Sequence, residues 1–276
     1  MTATITTTDS APVGPAYRAP GFSDVVHSEW TKARSVPSTM WTLLVATVVG
    51  IGLSALISAI AANHYAKSSL SDKLTWDPTS ISNAGFGIAQ LAIGVLGVLL
   101  ITSEYSSGSI RSTLAAVPRR GRVLASKSIV IMVLSLVVVE VLAFVAFFIG
   151  QALISGHAPT ATLGQTGVLR ALIGAGLYGA LLAMMGLALG TIIRSAAGAI
   201  AVLVAILYVL PGIAGALPTS IQNTVQEYWP TQAGAQVATV VHTANTLSPW
   251  AGFGVFLLFV AVLSGVAFAL LNHRDA

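Results

Sequence analysis

Cysteine is absent from the 276-residue chain, so no disulfide, thiolate nucleophile or cysteine-based metal site can form. Charge is scarce as well. Asp, Glu, Lys and Arg make up 8% of the residues, against about 25% in a soluble domain. With 55% hydrophobic residues and a mean hydropathy of +0.85, the chain cannot cover itself with solvated groups, and lipid is its main solvent. Acids are rarer still inside the apolar runs, where Glu140 stands alone. An intramembrane aspartyl protease needs two acids, and a serine protease needs a membrane histidine that no run supplies. His64, His157 and His242 fall in different loops, and His27 and His273 lie near the ends, without the paired spacing of a metal site. Residues 1–20 lack the basic and apolar regions of a signal peptide and read as a disordered tail. A phosphate-binding loop is missing too. The nearest imitation, GRVLASKS at Gly121–Ser128, has Ser126 where the second glycine belongs and no strand before it. The net charge of +4 is not clustered with aromatics, so nucleic acid is not an expected partner.

What is present is a series of six apolar runs: Trp41–Ala62, Gly85–Thr102, Ile129–Ile149, Ala171–Ile193, Ala196–Leu217 and Ala251–Leu271. Each is near the ~20 residues of a spanning helix, and none alternates as a barrel strand would. The fold class expected is therefore an all-α integral membrane protein with six transmembrane helices. With the N-terminus inside, ten basic residues face the cytoplasm: Arg18, Lys32, Arg34, Arg111, Arg119, Arg120, Arg122, Lys127, Arg194 and Arg274. Lys67, Lys73 and Arg170 face out. That imbalance puts both termini on the cytoplasmic side.

Residues 21–36 read as an amphipathic elbow helix on the inner leaflet. Phe22, Val25, Val26, Trp30 and Ala33 fall on its apolar face, and Asp24, His27, Ser28, Glu29 and Lys32 fall elsewhere. The six-helix domain then occupies 37–276. Between its first two spans, Asn63–Ala84 reads as a loop with a short surface helix. The segment 218–248 is too short and too polar to span, and suits one or two interfacial or re-entrant helices. Ser248–Pro249 is a good start for the last span.

The stretch Ser103–Lys127 holds five of the thirteen basic residues: Arg111, Arg119, Arg120, Arg122 and Lys127. After Gly108, the residues Ile110, Leu114 and Val117 recur at helical spacing, Arg111 lies opposite, and Pro118 stops the helix. Such a ridge must bury against lipid or a partner groove. Arg119, Arg120, Arg122 and Lys127 are expected at the phosphate level. The order Glu–x3–Gly–Ser–Ile–Arg–x2–Leu–x3–Pro–Arg–Arg–x6–Lys resembles the coupling loop of bacterial ATP-binding-cassette type-2 permeases. The upstream SEWTKARSVPSTMWTLL resembles the elbow and first span of the actinobacterial members. That resemblance covers almost all of the chain after residue 20. It implies a permease subunit in a bacterial plasma membrane, and export of a hydrophobic or amphipathic drug, peptide or lipid, as in multidrug efflux. It also implies a second permease copy or a homologue, and two cytoplasmic ATPase subunits that carry ATP and magnesium. This chain would hold no cofactor. By position, coupling falls to a loop at 104–122 with Glu104, Tyr105, Gly108, Ile110, Arg111, Leu114, Pro118, Arg119 and Arg120.

Glu140 remains, deep in the third span, where a carboxyl is costly. It reads either as a contact on the substrate pathway or as a structural group, paired with Arg170 from above or protonated. A carrier driven by protons through Glu140 is the alternative function, and a scaffold whose basic loop holds anionic lipid is another. The fourth span is lined by small residues, among them Gly174, Gly176, Gly179, Gly186 and Gly190, which permit close helix packing within the chain.

Overall fold

The computed structural model describes residues 21–35, 37–117, 119–216, 218–241 and 246–273. The tail 1–20, with Arg18, and also Pro118, Leu217, His242 and Arg274, lie outside the described residues. Among those described, every regular element is helical. In chain order these are α1 (Phe22–Ser35), α2 (Pro37–Tyr65), α3 (Leu70–Leu74), α4 (Pro78–Ser82), α5 (Phe86–Ser107), α6 (Ser109–Ala116) and α7 (Arg120–Ile154). They continue as α8 (Val168–Ile193), α9 (Ala196–Val204), a π-helical turn (Ala205–Val209) and α10 (Leu210–Ala214). The chain closes with α11 (Thr219–Tyr228), α12 (Pro230–Ala235), a 3-10 turn (Gln236–Ala238) and α13 (Pro249–His273).

Six of these stretches are long and apolar enough to cross a membrane: Met40–Tyr65, Phe86–Ser107, Arg120–Ile154, Val168–Ile193, Ala196–Ala214 and Pro249–His273. All six expected spans are therefore present. The third is longer than its apolar run. Its 35 residues reach about 52 Å, well beyond a hydrocarbon core of about 30 Å. Polar residues at the start of α7 extend the helix without extending the hydrophobic run.

The fourth span, α8, forms the centre of the bundle, with α5, α7 and α13 packed around it. Its glycines are the reason it can. A Cβ on Gly186 would collide with the carbonyl oxygen of Gly94 on α5, and one on Gly179 with the side chain of Val139 on α7. Backbones this close gain dispersion contacts, which replace the hydrophobic drive missing in lipid. The small-residue stripe thus serves packing within the chain.

At the end of the bundle away from α6, the segment after α10 folds as two short helices. α11 and α12 make a hairpin, and α12 with its 3-10 turn tucks against α8 and α13. Gly252 and Gly174 allow this, since a side chain on either would strike the carbonyls of Ala233 and Val237.

The fifth span departs from a plain helix. Leu210 N–H bonds to the carbonyl of Ala205, five residues back, and in that register the next donor would be Pro211, which has none. The carbonyl of Ile206 is taken instead by the Trp229 indole N–H at 2.9 Å.

Replacing Gly186 by Ala should lower the unfolding midpoint in detergent by the equivalent of about 1–3 kcal/mol, the range for overpacking. Gly254→Ala, at a position with nothing within 4 Å, should leave the midpoint unchanged or raise it slightly.

Candidate partner-docking site

The segment with the basic cluster folds as a hinge followed by a short helix. Gly108 adopts φ 72°, the left-handed region that closes α5, and in the same step it opens α6. Ile110 and Leu114, four residues apart, are buried in the cluster that also holds Val123, Leu124 and Leu271. This corrects the expectation that the ridge buries against lipid or a partner groove: the chain's own helices cover it. The exposed side of α6 consists of Ser109, Arg111, Ser112, Ala115 and Ala116. Small side chains around one arginine make a shallow surface with a single charge.

What fixes α6 in place lies one turn upstream. Lys127, 1% exposed, donates to Glu29 Oε2 at 2.6 Å and to Glu104 Oε1 at 2.7 Å. Lys32 adds bonds to Glu29 Oε1 at 2.8 Å and Glu104 Oε1 at 3.2 Å. Two cations and two anions thus balance in a cluster that joins α1, α5 and α7. Burial works against the Lys32 ammonium. Its hydrogen bond and charge interaction with Glu29, followed by those with Glu104, outweigh that and hold its pKa above the usual lysine value.

Two expectations are corrected here. Lys127 does not lie at the phosphate level with the arginines; it is among the largest fully buried side chains. Glu29 was assigned away from the buried face of α1, yet that face is Val25, Glu29 and Ala33, packed toward α7, while Phe22 and Trp30 are exposed. The signal was present in the spacing, because 25, 29 and 33 follow one another at four-residue steps.

The other candidates have separate roles. Glu104 belongs to the ion cluster rather than to the exposed face. Tyr105 is half-buried, with the Arg194 guanidinium 5.3 Å from its ring centroid. That contact ties the root of α6 to the tight turn between α8 and α9, where Arg194 has φ 60°. Arg119 is exposed in the link to α7, and Arg120 donates to the carbonyl of Leu271 at 3.3 Å, near the end of α13. Pro118 lies outside the described residues.

Glu140 is remote from this site. It lies against α8 at Gly176, where a Cβ would collide with its carboxyl. Its Oε2 is buried and has no hydrogen-bond partner among the described residues. Arg170 does not reach it. The Arg170 guanidinium donates instead to the carbonyls of Val237 at 3.0 Å and Thr239 at 2.8 Å, capping the end of the 3-10 turn.

A neutral polar ladder, which the sequence reading missed, links α5, α8 and the π-helical turn. Tyr178 Oη donates to Gln90 Oε1 at 3.2 Å, Gln90 Nε2 donates to Tyr208 Oη at 3.3 Å, and Tyr208 Oη donates to the carbonyl of Gly87 at 2.7 Å. No group of three or more metal-ligating side chains is assembled among the described residues.

The family described as "ABC-2 family transporter protein" matches residues 25–212, which include most of α1, the ion cluster, α6, the first four spans and nearly all of the fifth. No curated protein matches the chain.

Lys127→Met should leave Glu29 and Glu104 with only the partly exposed Lys32 as counter-charge and destabilise the protein by about 3 kcal/mol, the low end for a broken buried pair. The triple change Lys127→Met, Glu29→Gln, Glu104→Gln should recover most of that loss. Lys32→Ala, on the exposed side of the cluster, should cost no more than about 1 kcal/mol. Thermal unfolding in one detergent, followed by circular dichroism, checks all three.

Proposed function

The chain belongs to the ABC-2 family of transporter permeases and is the membrane subunit of an ABC transporter; from that premise we propose that it is the permease half of an exporter driven by a separate ATPase. The observation that carries the coupling part of this reading is the division of α6 into two faces. Ile110 and Leu114 bind it to the bundle, and Arg111, Ser112, Ala115 and Ala116 are left exposed. A helix that is fixed on one side and open on the other transmits force, because a push on its exposed face cannot be absorbed by rolling.

In this reading both termini and α6 lie in the cytoplasm of a bacterial cell, and α1 lies along the inner leaflet with Phe22 and Trp30 toward lipid. Two ATPase subunits, which bind ATP and magnesium, each hold the α6 of one permease copy. When they close, the movement enters through α6, passes the Gly108 hinge and reaches α5. The ion cluster carries it to α1 and α7 as one unit. The second permease is another copy or a homologue, and the pathway lies between the two. Closure drives the change of access only so far as the closed ATPase pair favours one arrangement of the spans. The substrate is a hydrophobic or amphipathic drug, peptide or lipid. That class is supported by the six apolar runs, in which Glu140 is the sole Asp, Glu, Lys or Arg.

The orphan oxygen of Glu140 favours a second role within the same transporter, in which this carboxyl exchanges a proton as substrate passes. Glu140→Gln tests it: transport survives if Glu140 is only structural and is lost if its proton takes part.

Arg111→Glu and Ala115→Asp should leave the thermal midpoint unchanged and remove the ATPase from the protein purified gently from its membrane, because both change only the exposed face of α6. Leu114→Asp should fail differently, by lowering the midpoint itself, since it buries a charge. Retention of a stoichiometric ATPase by both exposed-face variants would refute docking at α6.

A further inference from the structure

At the end of the bundle opposite α6, a cavity of about 240 Å³ opens between α10 and the α11–α12 hairpin. Three carboxamides line it, Gln226, Gln232 and Gln236, together with the apolar walls of Trp229, Pro211 and Val225. Among the described residues its lining holds no charged side chain. Gln226 and Gln232 are exposed, and no described residue shares a hydrogen bond with either carboxamide. Gln236 holds one partner, the hydroxyl of Thr239 at 3.3 Å. The Trp229 ring is fixed, because its N–H is already committed to the carbonyl of Ile206.

We infer that this cavity is a binding site for an uncharged group that carries hydrogen-bond donors and acceptors side by side, presented on an apolar body. Each carboxamide can donate and accept at once, so the lining selects a group that does the same. A phosphate, carboxylate or ammonium entering here would lose water without gaining a counter-charge. The fixed indole supplies an apolar wall that needs no ordering on binding. Pockets for drug-sized molecules occupy about 300–1,000 Å³, so this smaller one takes part of a ligand rather than the whole. Two common sources present this chemistry: the amides of a peptide and the neighbouring hydroxyls of a sugar. Binding here depends on the cavity's own lining and requires no ATPase, so it is independent of the docking at α6.

The experiment is saturation-transfer NMR on the full chain in lipid nanodiscs, with empty nanodiscs as background. The probes are N-acetyl-dialanine methylamide, methyl glucoside and the charged peptide trilysine. One neutral probe should bind saturably, and whichever does so names the source; trilysine should not bind. Gln226→Leu with Gln232→Leu should weaken that binding about tenfold, as expected for two lost neutral hydrogen bonds. Both side chains are exposed, so the fold should tolerate the change, and elution as a single unaggregated species confirms it. The inference is overturned if neither neutral probe binds, if trilysine binds as well as they do, or if the double variant binds unchanged. If the double variant misfolds, the wild-type comparison of neutral with charged probes still decides.

Discussion

A lysine ammonium held between two carboxylates, out of reach of water, organises the end of the bundle that carries α6. Lys127 lies on α7, Glu29 on α1 and Glu104 on α5, and Lys32, also on α1, bonds both carboxylates from the more exposed side. The cost of removing an ion from water is large, so the group is stable only with its geometry complete. That requirement holds α1 against α7. It also fixes the last turn of α5 through Glu104, and hence the place from which Gly108 turns the chain into α6. The orientation of the proposed docking helix is thus decided by charges buried behind it, and its own ridge of Ile110 and Leu114 secures it from below.

A different principle governs the rest of the bundle. Around α8 the helices are held by close approach: of neighbouring backbone at Gly174, Gly186 and Gly190, and of the Glu140 and Val139 side chains at Gly176 and Gly179. Polar groups deeper in the structure are mostly neutral: buried hydroxyls such as those of Thr102, Ser135 and Thr191 bond back to carbonyls of their own helix, and the Tyr178, Gln90 and Tyr208 ladder bonds between helices. Pro211 adds a local defect to the fifth span, and the Trp229 indole heals it from the α11–α12 hairpin. The fifth span and the hairpin therefore cannot move independently without exposing a carbonyl in an apolar setting.

The spans were legible because an apolar run of about 20 residues has one stable solution in lipid. The helix α6 was legible for a similar reason, through the four-residue step from Ile110 to Leu114 and the glycine before it. What buries that ridge was not, because periodicity marks a buried face without naming its cover. Glu29 and Lys127 were misread for a related cause. A charged residue near the end of a hydrophobic element is ordinarily solvated, and only the contact between three distant segments turns it inward. Arg170 illustrates the same limit: sequence placed it above Glu140, but backbone carbonyls at the end of the 3-10 turn claimed it.

The most direct test of the central claim is site-specific photo-crosslinking in intact cells, with a photoreactive amino acid placed at Ala115 on the exposed face of α6 or at Ile110 on its buried face. The account predicts that the Ala115 probe attaches to a cytoplasmic ATPase and the Ile110 probe reacts within the chain. An ATPase adduct from Ile110, or none from Ala115 while adducts form elsewhere on the cytoplasmic surface, would contradict it.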